Sequence, residues 1–178
     1  MWVLDLSSME SAQGEVSIRQ ATEEDGYAFA EFLGAAWREA GPDAPGFTGA
    51  SEETIAEITT PEAFRGNISG PERRMFLAWE EDRVVGFSAT RGMDQSSVEL
   101  SGIIVFRSRA GRGIGSTLVE SAMAAARGDG HREMIVKTET TNHRAKAFYE
   151  NQGFRTVGVE TEDVDDVPVE VWVLSRPL

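Results

Sequence analysis

Hydrophobic and polar positions along the chain alternate between two periods. Short β-branched and aromatic runs recur at Val16–Gln20, Met75–Trp79, Val84–Thr90, Val98–Val105, Met134–Thr140, Phe154–Glu160 and Val169–Leu174, each bounded by turn residues, and they predict strands. Between them, apolar residues fall at helical spacing. Thr22-Glu-Glu-Asp25 reads as a capping box, with the stripe Phe29, Phe32, Leu33, Ala36 and Trp37 behind it and a stop at Gly41-Pro42. A second helix is expected from Ser51 to Phe64 or Arg65, with Ile55 and Ile58 inward. A third carries Ile114, Leu118, Ala122 and Ala125, and a fourth runs from Asn142 to Gln152 with Ala145, Phe148, Tyr149 and Gln152 on one stripe. The resulting order is β, α, α, β, β, β, α, β, α, β, β. It describes an α/β (α+β) domain: a mixed, mostly antiparallel sheet of about seven strands with helices on both faces. Residues 1–14, with Trp2, Val3, Leu4 and Leu6, read as a flexible arm, and residues 15–178 as one domain. The stretch Glu162–Asp166 reads as an acidic hairpin loop.

The richest local signal is the passage from Val98–Val105 into the third helix. Gly111, Gly113 and Gly115 stand on alternate positions among Arg107, Arg109 and Arg112. A strand, a glycine loop and a helix in that order turn backbone N–H groups toward an anion, because glycines permit close approach and first-turn amides lack internal partners. The spacing is not that of a P-loop, since Ser116 stands where the second glycine is needed and no lysine follows. It is not the dinucleotide fingerprint either. A ligand-free turn and an anion cradle fit the glycines equally well.

A second stretch changes that balance. Asn142, Ala145, Phe148, Tyr149, Gly153 and Phe154 follow the strand Met134–Thr138. Together the two stretches resemble the GNAT superfamily of N-acetyltransferases. Its loop reads Gln/Arg-x-x-Gly-x-Gly/Ala, and its later helix reads Asn-x-x-Ala-x-x-Phe-Tyr followed by Gly-Phe. In this chain Ala110 stands at the Gln/Arg position, with Arg109 beside it and Arg112 inside the loop.

The resemblance implies acetyl-CoA as cosubstrate and no metal. It implies that the strand offers Ile104 and Val105 to the acetyl end. Arg109, Ala110, Gly111, Arg112, Gly113, Ile114, Gly115 and Ser116 would hold the pyrophosphate. Asn142, Ala145 and Phe148 would line the rest, with Asn142 also a natural helix cap. It implies that Tyr149 protonates the leaving thiolate. It also puts the acceptor beneath the first two helices, which points to the Pro42–Gly49 loop with Phe47.

Amide formation from a thioester needs a base for the amine, donors for the carbonyl oxygen and an acid for the sulfur. Glu99 is the candidate base, since simple alternation puts it on one face with Ser101, Ile103 and Val105; a solvent-facing strand residue is the equal alternative. Asp94 and Glu139 are weaker candidates. His143 reads as a helix-surface residue.

Composition narrows the class further. The 178 residues contain no cysteine, which excludes disulfides, thiolate zinc sites and a cysteine nucleophile. A formal charge of −13 argues against general nucleic-acid affinity and suits a cationic acceptor, although solubility alone accounts for it. No apolar run reaches membrane-spanning length, and Met1–Leu6 lacks the pattern of a secretory signal, so a cytoplasmic protein is expected. The expected activity is acetyl transfer to a primary amine of a small molecule or peptide, with a possible homodimer. Protein N-terminal or lysine acetylation is one alternative, and a non-catalytic CoA-binding module on the same fold is another.

Overall fold

The computed structural model describes residues 14–40, 52–68, 70, 72–164 and 167–178. Trp2 to Leu6 and the Pro42–Gly49 loop with Phe47, singled out in the sequence, lie outside these residues. Seven strands form one sheet: β1 (Val16–Gln20), β2 (Arg73–Glu80), β3 (Arg83–Gly92), β4 (Ser97–Val105), β5 (Glu133–Glu139), β6 (Arg155–Val164) and β7 (Val167–Pro177). Their spatial order is β1-β2-β3-β4-β5-β7-β6. All neighbours are antiparallel except β4 and β5.

Two helical layers cover the sheet. On one face α1 (Gly26–Ala40) and α3 (Pro61–Ile68) bury Phe29, Phe32, Leu33 and Phe64 against Met75, Leu77, Val84 and Phe87. Phe29 stands edge-on to Phe87 at 5.1 Å between ring centroids, a favoured aromatic geometry. On the other face α4 (Ile114–Gly128) and α5 (His143–Asn151) close over Val98, Leu100, Met134, Val136 and Leu174. Of the stripe expected on the third helix, Ile114, Leu118 and Ala122 are at most 4% exposed and Ala125 is half-buried, while Val119 and Met123, outside that stripe, are fully buried beside them.

Three expectations are corrected. The second helix is broken in two, α2 (Glu52–Ile58) and α3, because Pro61 has no N–H to continue the ladder and suits only a first helical turn. Thr60 caps the new start, its hydroxyl accepting from Ala63 N at 3.1 Å. Ile58, at the end of α2, is exposed rather than inward. The last hairpin is longer than its apolar runs suggest: β6 reaches Val164 and β7 begins at Val167, so Glu162 lies on a strand and not in a loop. The acidic residues stay in the ladder because Lys137 on β5 pairs with Glu160 and Glu162, at 2.9 and 2.7 Å.

Thr22–Asp25 does open the first helical segment, through a short 3-10 turn at Glu23–Asp25 that leads into α1. Asp25 reaches back to Thr22 N at 2.8 Å and takes a two-pronged ion pair from Arg19, at 2.6 and 2.8 Å. The Arg19 hydrogen bond holds the Asp25 carboxyl below its usual range, against the opposing effect of burial.

Candidate functional site

The site begins where two parallel strands part. β4 and β5 pair only at Ser97–Glu133, Val98–Met134 and Glu99–Ile135. Beyond that point β4 continues with β3 as far as Val105, and β5 continues with β7 as far as Glu139. The facing edges of both strands are therefore without a strand partner. Backbone N–H and C=O groups left open in this way call for another hydrogen-bonding group. An extended, amide-bearing ligand fits such a slot.

The open part of β4 runs straight into the glycine loop. A 3-10 turn at Arg107–Arg109 follows the strand, and Gly113 caps α4 with φ +80°. Gly111 has the same φ. Both are left-handed positions that L side chains reach only at a cost of about 1–2 kcal/mol. A Cβ at either would meet nothing within 4 Å, so the loop borders open space. The amides of Ile114, Gly115 and Ser116 lie in the first turn of α4, where no intrahelical acceptor exists. The start of the loop is tied to α1, since Arg107 N donates to Glu39 Oε2 at 3.0 Å.

The second motif docks on the first. A Cβ on Gly115 would lie 3.3 Å from the Phe148 ring, so this glycine lets α5 approach the first turn of α4. Gln152 Nε2 donates to Ser116 Oγ at 3.0 Å. Asn142 caps α5 as expected, its Oδ1 accepting from Ala145 N at 3.0 Å. Tyr149 belongs to the buried cluster that holds Val98 and Met134, the second matched pair, and Leu100 and Val136, the next residues of each strand on that face. Burial raises the Tyr149 hydroxyl well above its ordinary range.

Glu99 is not where alternation put it. Ala89 pairs with Gly102 and Thr90 with Leu100, so Ser101 is an extra residue in β4. This bulge reverses the alternation. Val98 and Leu100 before it, and Ile103 and Val105 after it, all meet the α4 layer. Glu99 therefore shares its face with Gly102 and Ile104, on the side of α1. It sits at the last matched pair before the strands part, and Arg91, its cross-strand partner, binds it at 2.5 Å.

The other candidates are occupied. Asp94 Oδ1 accepts from Ser96 N and Ser97 N, at 2.7 and 2.8 Å, and the Ser96 amide holds its carboxyl below the usual range. It holds a turn. Glu139 accepts from Thr141 Oγ1 at 3.3 Å. His143 lies against the Trp172 ring. Arg109 and Arg112, expected beside the anion, both reach Glu80 at the end of β2, at 2.6 and 2.7 Å. No sequence signal marked Glu80 or Glu39, which meet the loop from 29 and 68 residues away in the chain. Gln152 could have been found, since it closes the inward stripe of its helix.

A mixed sheet that opens between its two parallel strands, with a left-handed glycine turn and a helix N-terminus at the mouth, defines an α/β domain built to hold an extended anionic ligand. The family model described as "Acetyltransferase (GNAT) family" matches residues 30–154, and the chain belongs to that family. An uncharacterised N-acetyltransferase of Mycobacterium bovis is 28% identical over 98 residues, covering 55% of this chain; the match spans 63% of that relative's length. Among solved structures, the chain is similar to a PaiA N-acetyltransferase from Thermoplasma acidophilum in complex with coenzyme A, with TM-score 0.70, 20% identity, and 92% and 99% of the two chains covered. It is also similar to a GNAT family acetyltransferase from Elizabethkingia anophelis with acetyl-CoA bound, with TM-score 0.62, 16% identity, and 92% and 98% covered. At these identities the structural likeness speaks to the fold.

Proposed function

We propose that the chain transfers an acetyl group from acetyl-CoA to a primary amine of a small molecule or peptide, by direct attack in a ternary complex. One observation carries the reading: the pairing of β4 and β5 stops at Glu99 and Ile135, and the open edge of β4 leads directly into the Gly111–Gly115 loop. The pantetheine arm carries amides, and these suit the unpaired strand edges. The pyrophosphate suits the loop and the helix N-terminus. The thioester then lies in the gap, close to Val105 and Ile104, whose backbone can polarise the carbonyl.

The chemistry follows from the two faces of that gap. Glu99 lies toward the α1 side, beneath which the acceptor enters, and takes the amine proton directly or through water. The nitrogen attacks the carbonyl carbon, the C–S bond breaks, and the thiolate takes the proton of Tyr149 from the α5 side. A phenol keeps its proton at neutral pH at its ordinary pKa, and burial, which raises that pKa further, leaves Tyr149 protonated. No nucleophilic side chain and no metal is needed for this sequence.

The test is release of free CoA from acetyl-CoA with a panel of primary amines, namely polyamines, aminoglycosides and peptides with free N-termini or lysines. Turnover with any class supports the reading, and the preferred class separates small-molecule from protein acetylation. CoA binding without turnover across the panel would replace it with a non-catalytic CoA-binding module.

A further inference from the structure

We propose that Glu80 is a positioning residue for the glycine loop: a single carboxylate at the end of β2 draws Arg109 and Arg112 together and so sets the backbone between them in the shape an anion requires. The inference rests on the assignment of this loop to the phosphates of CoA. Glu80 Oε2 accepts from Arg109 Nε at 2.7 Å and lies 2.6 Å from Arg109 Nη2, while Oε1 accepts from Arg112 Nη1 at 2.7 Å. Arg112 Nη2 also donates to Gly14 O at 3.2 Å. The Glu80 side chain is only 12% exposed, and its two partners are covered for the greater part.

The two arginines bracket Gly111, and Gly113 follows directly. These left-handed glycines leave the loop with the largest backbone freedom of any residue type. Among the described residues, the loop's own backbone bonds before α4 are those of the 3-10 turn, Arg109 N to Phe106 O and Ala110 N to Arg107 O, beside the tie from Arg107 N to Glu39. Gly113 O is held by Thr117 N at 3.0 Å as α4 begins, which leaves the stretch between Ala110 and Gly113 to its side chains. The restraint comes from Glu80, which is itself held on both sides. The two-residue turn after it places Glu81 at φ +56°. Gly14 lies so close that a Cβ there would stand 3.0 Å from Glu80 Cγ.

A competing role, in which Glu80 occupies the arginines and repels phosphate, predicts the opposite sign. The geometry favours positioning. Two guanidinium groups on one carboxylate leave a net positive charge at the loop, and the carboxylate is spent on holding both. Fixing a flexible anion loop before the ligand arrives removes an ordering cost from binding.

The experiment compares wild type, Glu80→Gln, Arg112→Met and the double variant by CoA calorimetry, acetyl-CoA kinetics, thermal melts and backbone ¹⁵N order parameters of Gly111 and Gly113. Glu80→Gln is expected to weaken CoA binding about tenfold, as loss of preorganisation does. KM for acetyl-CoA should rise by a similar factor while kcat holds, and the order parameters of both glycines should fall. The double variant should bind little worse than Arg112→Met, because the two residues act as one unit. Tighter CoA binding by Glu80→Gln would make Glu80 a competitor and overturn the proposal. Unchanged affinity with unchanged order parameters overturns it as well. If Glu80→Gln does not fold, Arg112→Met decides, since fixed glycines in that folded variant would equally sink the clamp. A folded wild type with no CoA affinity would instead remove the loop assignment itself.

Discussion

Gln152, at the end of α5, donates its side-chain amide to Ser116 Oγ in the first turn of α4, 3.0 Å away. The two stretches that carry the chemistry are thus joined directly, and Phe148 seated on Gly115 seals the contact. A change in one stretch is felt by the other, and this shapes what substitutions there are expected to do.

Gly113→Glu should fold and lose CoA binding. Its side chain would extend into the open space that borders the loop and bring a negative charge to the phosphate position. The left-handed φ adds about 1–2 kcal/mol of strain, so the melt should fall modestly. Calorimetric CoA affinity equal to wild type in the folded variant would refute the anion cradle.

Tyr149→Phe removes only a hydroxyl and keeps the ring in its buried cluster. Stability and CoA affinity should stay near wild type, while single-turnover acetyl transfer slows by about 10²-fold, the lower end of what a positioned acid supplies. Transfer within a fewfold of wild type would show that another group, or water, protonates the thiolate.

Glu99→Gln should depress turnover most at neutral pH and least at high pH, where more of the acceptor is already free amine. CoA affinity should barely move. The pH–rate profile checks this, and a profile superimposable on wild type returns Glu99 to a plain cross-strand partner of Arg91.

Asp25→Asn tests stability rather than catalysis. Asp25 is buried but Arg19 is half exposed and partly screened by solvent, so breaking this hydrogen-bonded ion pair should cost about 1–2 kcal/mol at neutral pH. The folded-state pKa of Asp25 is depressed, so its contribution is present above the unfolded value near pH 4 and is lost as pH falls through the folded value. Denaturant titrations at several pH values should show wild type and variant converging in acid. A gap that does not narrow at all as pH falls below the unfolded value would mean the ion pair is not its source.

Local pattern was enough for much of this molecule. The stripe on α4, the cap at Asn142 and the left-handed glycines all follow from residues close together in the chain, where propensity and periodicity act. The break at Thr60-Pro61 was equally local, and a continuous helical reading passed over a proline that forbids it. The face of Glu99 was not legible. A single extra residue at Ser101 inverts the alternation of β4, and only its pairing with β3 reveals the bulge. Glu80 and Glu39 reach the loop through tertiary contacts that leave no trace in their own neighbourhoods.

The short parallel ladder between β4 and β5 has a wider consequence. Among the described residues, β4 and β5 are matched at three pairs at one end, with Arg132 N donating to Ser96 O beside them at 2.7 Å, so the two halves of the sheet meet along a seam stitched at one end. Under the proposed activity the cosubstrate serves as the missing thread, bonding to both edges at once. Its departure after each turnover then unpicks the seam. The melting temperature of the chain should rise with CoA concentration, as for any ligand held only by the native state.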